Sequence, residues 1–252
     1  MSGSGELRDQ VALVTGASRG IGRAAALALA HRGARVALVQ RGNARDVIDE
    51  VGAAGSEARS FHADLSRPEA AAEAVSAVVD SLGRVDILVA NAGTIHRQPA
   101  LEVDFADWQR VIDLNLTSVF ALSQAVARHL VAEGREGRII HVASVLGFQG
   151  GINVASYAAS KGALVQLTRA LANEWAGHGI NVNAVAPGYV VTEITEPLRA
   201  DPARRAQIDA RIPAGRWAEC EDVAGAIAYL ASPDAAYVNG HTLVVDGGWL
   251  AR

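Results

Sequence analysis

The strongest constraint on the fold is a strand, a glycine turn and a helix in immediate succession near the N-terminus. Val11 to Thr15 (VALVT) is an uninterrupted, β-rich apolar run. Such a run suits a strand covered on both faces, as in a parallel sheet. Gly16-Ala-Ser-Arg-Gly20-Ile-Gly22 follows, and then RAAALALAHRG, which reads as a helix closed by Gly33. Glycines let the backbone turn tightly and approach a ligand. A helix N-terminus adds free N–H groups and the positive end of a dipole. The unit is predicted to hold the phosphates of a dinucleotide, with the spacing GxxxGxG in place of GxGxxG.

The alternation continues along the chain. Further strands are expected at Val36 to Gln40, Ser60 to Ala63, Val85 to Ala90, Arg138 to Val142, Asn181 to Ala186 and Thr242 to Val245. Helices are expected over Asp46 to Ala54, from Ser66 to about Leu82, from Asp104 to about Glu133, up to about Trp175, and over Asp222 to Ala231. The start at Ser66-Arg-Pro-Glu69 reads as a capping box with an early proline. Repeated β-α units with strands buried on both faces predict an α/β, doubly wound parallel sheet. No linker or repeat interrupts it, so residues 1–252 read as one domain. Dinucleotide binding falls mainly in 11–95 and the catalytic and substrate parts mainly in 96–252.

Composition narrows the function classes. The 252 residues are half apolar, enough for a substantial core, and carry a net charge of −4 with no long run of one sign. That argues against nucleic acid as a partner. Cys220 is the only cysteine and the seven histidines form no HExxH, so no metal site is expected. Cys220 itself, at the start of a helix, reads as an inert thiol. No long apolar run and no signal core is seen, which predicts a soluble, cytoplasmic protein that does not enter a membrane. Met1 to Gly5 are expected to lack fixed structure.

The stretch Ser144 to Lys161, SVLGFQGGINVASYAASK, joins the end of a strand to a long helix through a Gly-rich loop. Tyr157 and Lys161 stand four apart, on one helix face. A phenol titrates near 10, and bringing it to neutrality needs about 4 kcal/mol of differential stabilisation. One ammonium about 4 Å away at an effective dielectric near 20 is of that size. Tyr157 with Lys161 is therefore read as an acid/base unit, with Ser144 returned to the same spot to hold a substrate oxygen. Asn115 sits inside an expected helix, where its amide competes for backbone bonds. It reads either as marking a local break that exposes a carbonyl or holds a water, or as an ordinary tolerated Asn.

At the end of the second strand a carboxylate for a ribose 2′-OH is expected, but Gln40 and Arg41 stand there. Arg41 with Arg19 can face a 2′-phosphate, which favours NADP; the alternative is two solvated arginines. Asp64 has two open readings, a hydrogen bond to the adenine amino group or turn chemistry. Asn91-Ala92-Gly93 offers small residues against which a cofactor ribose can lie, and Pro187-Gly188 ends a strand near the nicotinamide position. Thr192 to about Arg211, Arg-rich with two prolines, reads as a mobile lid or a plain surface excursion.

Taken together, Thr15-Gly16-x3-Gly20-x-Gly22, Asp64, Asn91-Ala-Gly93, Asn115, Ser144, Tyr157-x3-Lys161 and Pro187-Gly188 resemble the short-chain dehydrogenase/reductase family over nearly the whole chain. The resemblance implies a Rossmann-like fold with a seven-stranded, mostly parallel sheet, helices on both faces, and a homotetramer. It also implies a nicotinamide cofactor, NAD or NADP. By it Tyr157 is the general acid/base, Ser144 orients the substrate oxygen, Lys161 binds the nicotinamide ribose and lowers the phenol pKa, and Asn115 holds a relay water. Cofactor contacts are implied from Gly16, Ser18, Arg19, Gly20, Ile21, Gly22, Gln40, Arg41, Asp64, Leu65, Asn91, Ala92, Gly93, Tyr157, Lys161, Pro187, Gly188, Val190 and Thr192. The family often reads NNAG, and here Ala90 replaces the first Asn.

Within the family, the runs NAGTIHRQPALE, RIPAGRW and YVNGHTLVVDGGWLAR, with the Ser144 to Lys161 stretch, resemble sugar-acid dehydrogenases. That group implies NAD, against the reading of Gln40 and Arg41, so the choice stays open. A sugar acid needs a cation for its carboxylate. Arg97 is the best-placed candidate, Gln149 is placed to bind a hydroxyl, and Arg199, Arg204 and Arg205 are alternatives; for each single arginine the competing reading, a solvated surface role, is the stronger. Trp217 and Trp249 are read as core or subunit-interface residues. Rival readings are oxidation of gluconate at C5, reduction of the ketone of a 3-oxoacyl group on a carrier protein and, in another class, a cofactor-sensing protein without catalysis.

Overall fold

A computed structural model describes residues 6–67 and 69–252. The expectation for Met1 to Gly5, and the early proline at Pro68, lie outside the described residues. Seven strands form one all-parallel sheet: β1 (Val11–Thr15), β2 (Arg35–Gln40), β3 (Ala58–His62), β4 (Ile87–Ala90), β5 (Gly137–Val142), β6 (Ile180–Pro187) and β7 (Thr242–Val245). Their order is β3-β2-β1-β4-β5-β6-β7, the doubly wound, Rossmann-like arrangement. The order reverses between β1 and β4, so a crevice opens at the carboxyl ends of these two strands. In β1, Ala12 and Val14 face one side, with α1 (Gly20–His31), α2 (Arg45–Ala53) and α9 (Cys220–Ala231). Val11 and Leu13 face the other, with α3 (Ala70–Leu82), α5 (Ser118–Ala132) and α6 (Ala155–Trp175). Burial on both faces is why these strands are continuous apolar runs. At the amino rim the Asp86 carboxylate accepts the Val11 N–H at 2.9 Å and pairs with Arg84.

Several boundaries differ from expectation. β3 runs over Ala58–His62 because it pairs Ala58 with Val36 through His62 with Gln40, and as the edge strand it is only half-buried. The helix expected from Ser66 starts at Ala70, since the Ser66 N–H and hydroxyl both donate to Asp64 (3.1 and 2.8 Å) and form a turn. The helix expected from Asp104 is α4 (Phe105–Ile112), a π turn at Asp113–Thr117 and α5. α9 begins two residues early because the Asp222 carboxylate accepts the Glu219 N–H at 2.8 Å. The Arg-rich segment folds into α7 (Glu196–Ala200) and α8 (Pro202–Asp209), with Ile208 and Ile212 buried against Trp217 and Trp249. Among the described residues no helix is long and apolar enough to cross a membrane.

Candidate active site at the carboxyl rim

The glycine turn after β1 is held by side chains from β4. Gly16 and Gly20 take φ of +63° and +57°, left-handed values that other residues rarely adopt. A Cβ on Gly22 would sit 2.3 Å from the Gly16 carbonyl oxygen, so α1 packs on the turn only with glycine there. Asn91 donates Nδ2 to the carbonyls of Thr15 and Gly16 at 2.9 and 3.2 Å. The Thr15 hydroxyl accepts the N–H groups of Asn91 and Ala92 at 3.0 and 2.9 Å. Asn91, a cofactor candidate, thus has its amide engaged in building the turn, and Thr15, read from sequence only as the first residue of the family motif, pins it.

The other cofactor candidates distribute around this turn. Ser18 and Ile21 are half-buried in it, and no side chain caps the first turn of α1. Gln40 is buried at the end of β2 with Nε2 on Ser60 at 3.3 Å, while its Oε1 has no partner. Arg41 beside it is exposed. Arg19 is exposed and pairs with Glu193 at 2.8 Å at the surface. The Ser66 hydrogen bonds hold Asp64 below the usual carboxylate range, with smaller help from Arg41 and Arg67. Turn chemistry is therefore present at Asp64. Leu65 is a core residue. Gly188 is set by packing, since a Cβ there would lie 2.8 Å from Asp246 Cα. Pro187 ends β6, Val190 is buried, and Thr192 lies against Gly20 across the turn. The left-handed glycines, the uncapped helix start and the unpartnered Gln40 oxygen fit a dinucleotide.

Asn115 is fully buried in the π turn. Its Oδ1 accepts the Thr94 N–H at 2.8 Å, and its Nδ2 donates to the Thr94 carbonyl at 2.9 Å and to Ser160 Oγ at 3.1 Å. The expected local break exists, as a re-routing of backbone bonds. The side chain ties the loop after Gly93 to α6. Ser160, whose hydroxyl donates to the Tyr157 carbonyl at 2.7 Å, completes that tie and was not singled out from sequence.

Ser144, Tyr157 and Lys161 come together at the carboxyl end of β5. Ser144 is buried and accepts the Leu146 N–H at 3.1 Å, capping a short turn that packs on α6. A Cβ on Gly147 would meet the Lys161 carbonyl at 2.9 Å. Lys161 is 5% exposed, donates Nζ to the Val142 carbonyl at 2.6 Å and lies 5.6 Å from the Tyr157 ring centre. Burial lowers its pKa to about 8. Nearby His141, buried between Ser123 and Thr168, is held near 3 by burial and then by Lys161, so it is neutral.

The phenol departs from expectation. Tyr157 retains some exposed surface, yet burial raises its pKa above 10, opposed by the Ser144 hydroxyl and then the Arg97 guanidinium. Lys161 lies beside the ring with its ammonium turned to the Val142 carbonyl. Lys161 was expected to lower the phenol; here burial raises it, and the Ser144 hydroxyl and then the Arg97 guanidinium supply the opposing pull. A buried serine hydroxyl and a phenol at a strand end can grip one substrate oxygen and move its proton.

Next to this pair lies a cavity of about 410 Å³, lined by Arg97, Gln149, Tyr189, Arg204, Arg211 and Trp249 among others. Such a volume suits a small ligand. Arg97 donates to the Ile194 carbonyl at 2.8 Å and faces Tyr157 and Tyr189. Gln149 accepts from Arg211 at 3.2 Å. Arg199 reaches the Thr192 carbonyl, and Arg205 pairs with Asp209, so neither is brought into the cavity. Trp217 and Trp249 are core residues around Tyr189, with ring centres 5.2 and 4.7 Å from it. Arg211 is a cavity residue missed from sequence. Cys220 is half-buried, and burial raises its thiol pKa, as expected of an inert thiol.

A family model described as enoyl-(acyl carrier protein) reductase matches residues 16–250. The chain belongs to the short-chain dehydrogenase/reductase family, whose members are NAD(P)-dependent oxidoreductases acting on CH–OH groups. A 2-dehydro-3-deoxy-D-gluconate 5-dehydrogenase of Escherichia coli K12 is 48% identical over 98% of this chain and 97% of its own. A solved Agrobacterium tumefaciens structure, provisionally assigned as a 2-deoxy-D-gluconate 3-dehydrogenase with bound NADP, is 48% identical. It superposes with a TM-score of 0.94 over 99% of both chains. One from Beutenbergia cavernae, provisionally an NAD(P)-dependent gluconate 5-dehydrogenase with NADP at low occupancy, is 50% identical, with the same score and coverage.

Proposed function

We propose that this protein is a 2-dehydro-3-deoxy-D-gluconate 5-dehydrogenase, which exchanges a hydride between a secondary alcohol or ketone of that sugar acid and a nicotinamide dinucleotide. The observation that carries this reading is the meeting of Ser144, Tyr157 and Lys161 beside a cavity lined by three arginines. When bound, the nicotinamide ring supplies or accepts the hydride. Ser144 and Tyr157 grip the substrate oxygen, and Tyr157 takes its proton during oxidation. Ser144 and Arg97 favour the phenolate. Lys161 holds the nicotinamide ribose and adds its charge beside the ring. Asn115 fixes the loop after Gly93, and a water at the π turn carries the proton outward. The glycine turn, Gln40, Arg41 and Asp64 hold the adenosine half. Exposed Arg41 and the missing carboxylate favour NADP over NAD; in NAD, the ribose 2′-OH would donate to the unpartnered Gln40 oxygen.

Residues 11–95 serve mainly the cofactor and 96–252 mainly the substrate. A homotetramer fits the exposed apolar Leu101 and Phe105, and Val244 on β7. The lone, unpaired thiol suits a cytoplasmic setting.

Initial rates of 2-dehydro-3-deoxy-D-gluconate and gluconate oxidation, with NAD+ and NADP+ in parallel, test the reading. The deoxy sugar acid should be oxidised faster, and faster with NADP+. Tyr157→Phe should keep cofactor binding and lose about 10²-fold or more in turnover. Faster gluconate oxidation would favour gluconate 5-dehydrogenase, the assignment carried by the Beutenbergia structure. Turnover retained in Tyr157→Phe, or silence with all four combinations, would overturn it.

A further inference from the structure

Of the arginines around the cavity, Arg211 is set apart by its surroundings. Its guanidinium lies over the Trp249 ring, with the central carbon 3.9 Å from the ring centre. Stacking of this kind leaves the in-plane N–H edges free for a planar, two-point partner. The one side-chain partner that Arg211 has among the described residues is Gln149 Oε1 at 3.2 Å, and no carboxylate pairs with it. Its backbone is held from behind, where Arg252 donates to the carbonyls of Arg211 and Ala210 at 3.2 and 2.7 Å. Arg97 is already turned to the Ile194 carbonyl and the Tyr157 side, and Arg204 donates to Gln207 along its own helix.

The platform beneath Arg211 is fixed. Trp249 lines the cavity yet is only 4% exposed, and it packs edge-on to Tyr189 with ring centres 4.7 Å apart, so it holds the guanidinium at one place over the cavity. We propose that Arg211, stacked on Trp249 and steadied by Gln149, is the subsite that receives the substrate carboxylate, leaving Arg97 to serve the reacting end. A carboxylate accepts two parallel N–H bonds from a guanidinium edge, which fixes the sugar chain's direction relative to Tyr157. The subsite makes the enzyme select acids over neutral sugars of the same length. This assignment rests on the sugar-acid reading above and adds the residue that recognises the acid.

The test compares the full-length protein with Arg211→Met and Arg211→Lys, on 2-dehydro-3-deoxy-D-gluconate and on its methyl ester. Arg211 is exposed, and Met and Lys both keep an unbranched apolar stem over Trp249. For Arg211→Met the KM for the acid should rise at least about tenfold, the scale of a charged hydrogen bond. The ratio of kcat/KM for acid over ester should fall by the same factor. Arg211→Lys should recover part of it, since it keeps the charge and loses the fork. An unchanged KM, or an equal loss on acid and ester, overturns the proposal. If the wild type oxidises no sugar acid, tryptophan fluorescence titrated with the same acid separates the two ideas. Quenching seen in the wild type and lost in Arg211→Met upholds the subsite while the reaction reading falls. Equal quenching in both proteins, or none in either, overturns the subsite.

Discussion

Lys161 keeps an ammonium in the protein interior with a single described partner, the Val142 carbonyl. In the folded chain its pKa is about 8, against a reference of 10.5. Between these values the unfolded chain holds more protons, so this group's contribution to stability rises with pH. Below pH 8 the cost of burying the charge is present in full, about 3 kcal/mol. Lys161→Met removes that cost and leaves the Val142 carbonyl unpaired by the same amount at every pH. Urea unfolding of both proteins at pH 7 and pH 9.5 should therefore show the stability difference moving in favour of the wild type at the higher pH. A difference independent of pH would sink the account. The position of Lys161 was legible because i to i+4 spacing is fixed by the helix. The state of its ammonium was not, since that depends on a carbonyl from a strand 19 residues away. Arg211 was illegible for the same kind of reason: an arginine in a polar stretch acquires meaning only when Trp249, 38 residues later, is folded beneath it.

The π turn between α4 and α5 is where a helix gives up regular bonding so that one side chain can organise two neighbours. Asn115 satisfies both backbone groups of Thr94 and reaches Ser160 on α6. Asn115→Ala would leave the Thr94 pair and the serine without these partners in a buried site. A loss of about 1–3 kcal/mol of stability is expected for an unsatisfied buried group. Thermal unfolding and kcat should fall together, with cofactor affinity changed less because the glycine turn is pinned separately by Asn91 and Thr15. Loss of kcat with stability untouched would show Asn115 acting in the chemistry alone. An asparagine inside an apolar helix was a visible anomaly in the sequence. β1, β2 and β4 were visible too, because double-sided burial writes them as continuous apolar runs. β3, half-exposed at the edge with ARSFH, carries no such signature and its bounds were misplaced. The start of α3 was misread because Asp64 took the hydroxyl of Ser66 that a capping box would have used.

At the scale of the whole molecule, the exposed apolar side chains include Leu101 and Phe105 near the start of α4 and Val244 on the open edge strand β7. We propose that these two patches are the faces of a tetramer of twofold pairs. Sedimentation velocity should give a species near four times 26.2 kDa. Val244→Arg should reduce it to a dimer, and a monomer in the wild type would remove the proposal. The all-parallel sheet has a further consequence. Every strand delivers its carboxyl end to the same rim, where the glycine turn, Asn91, Ser144 and Gly188 follow β1, β4, β5 and β6. The opposite rim, around Glu57, Glu136 and Gly179, enters the same strands from behind and touches none of the chemistry. Descent with change is thus free to rewrite half of this molecule's loops, and an engineer wishing to insert a peptide or fuse a second protein has that half of the surface to work with.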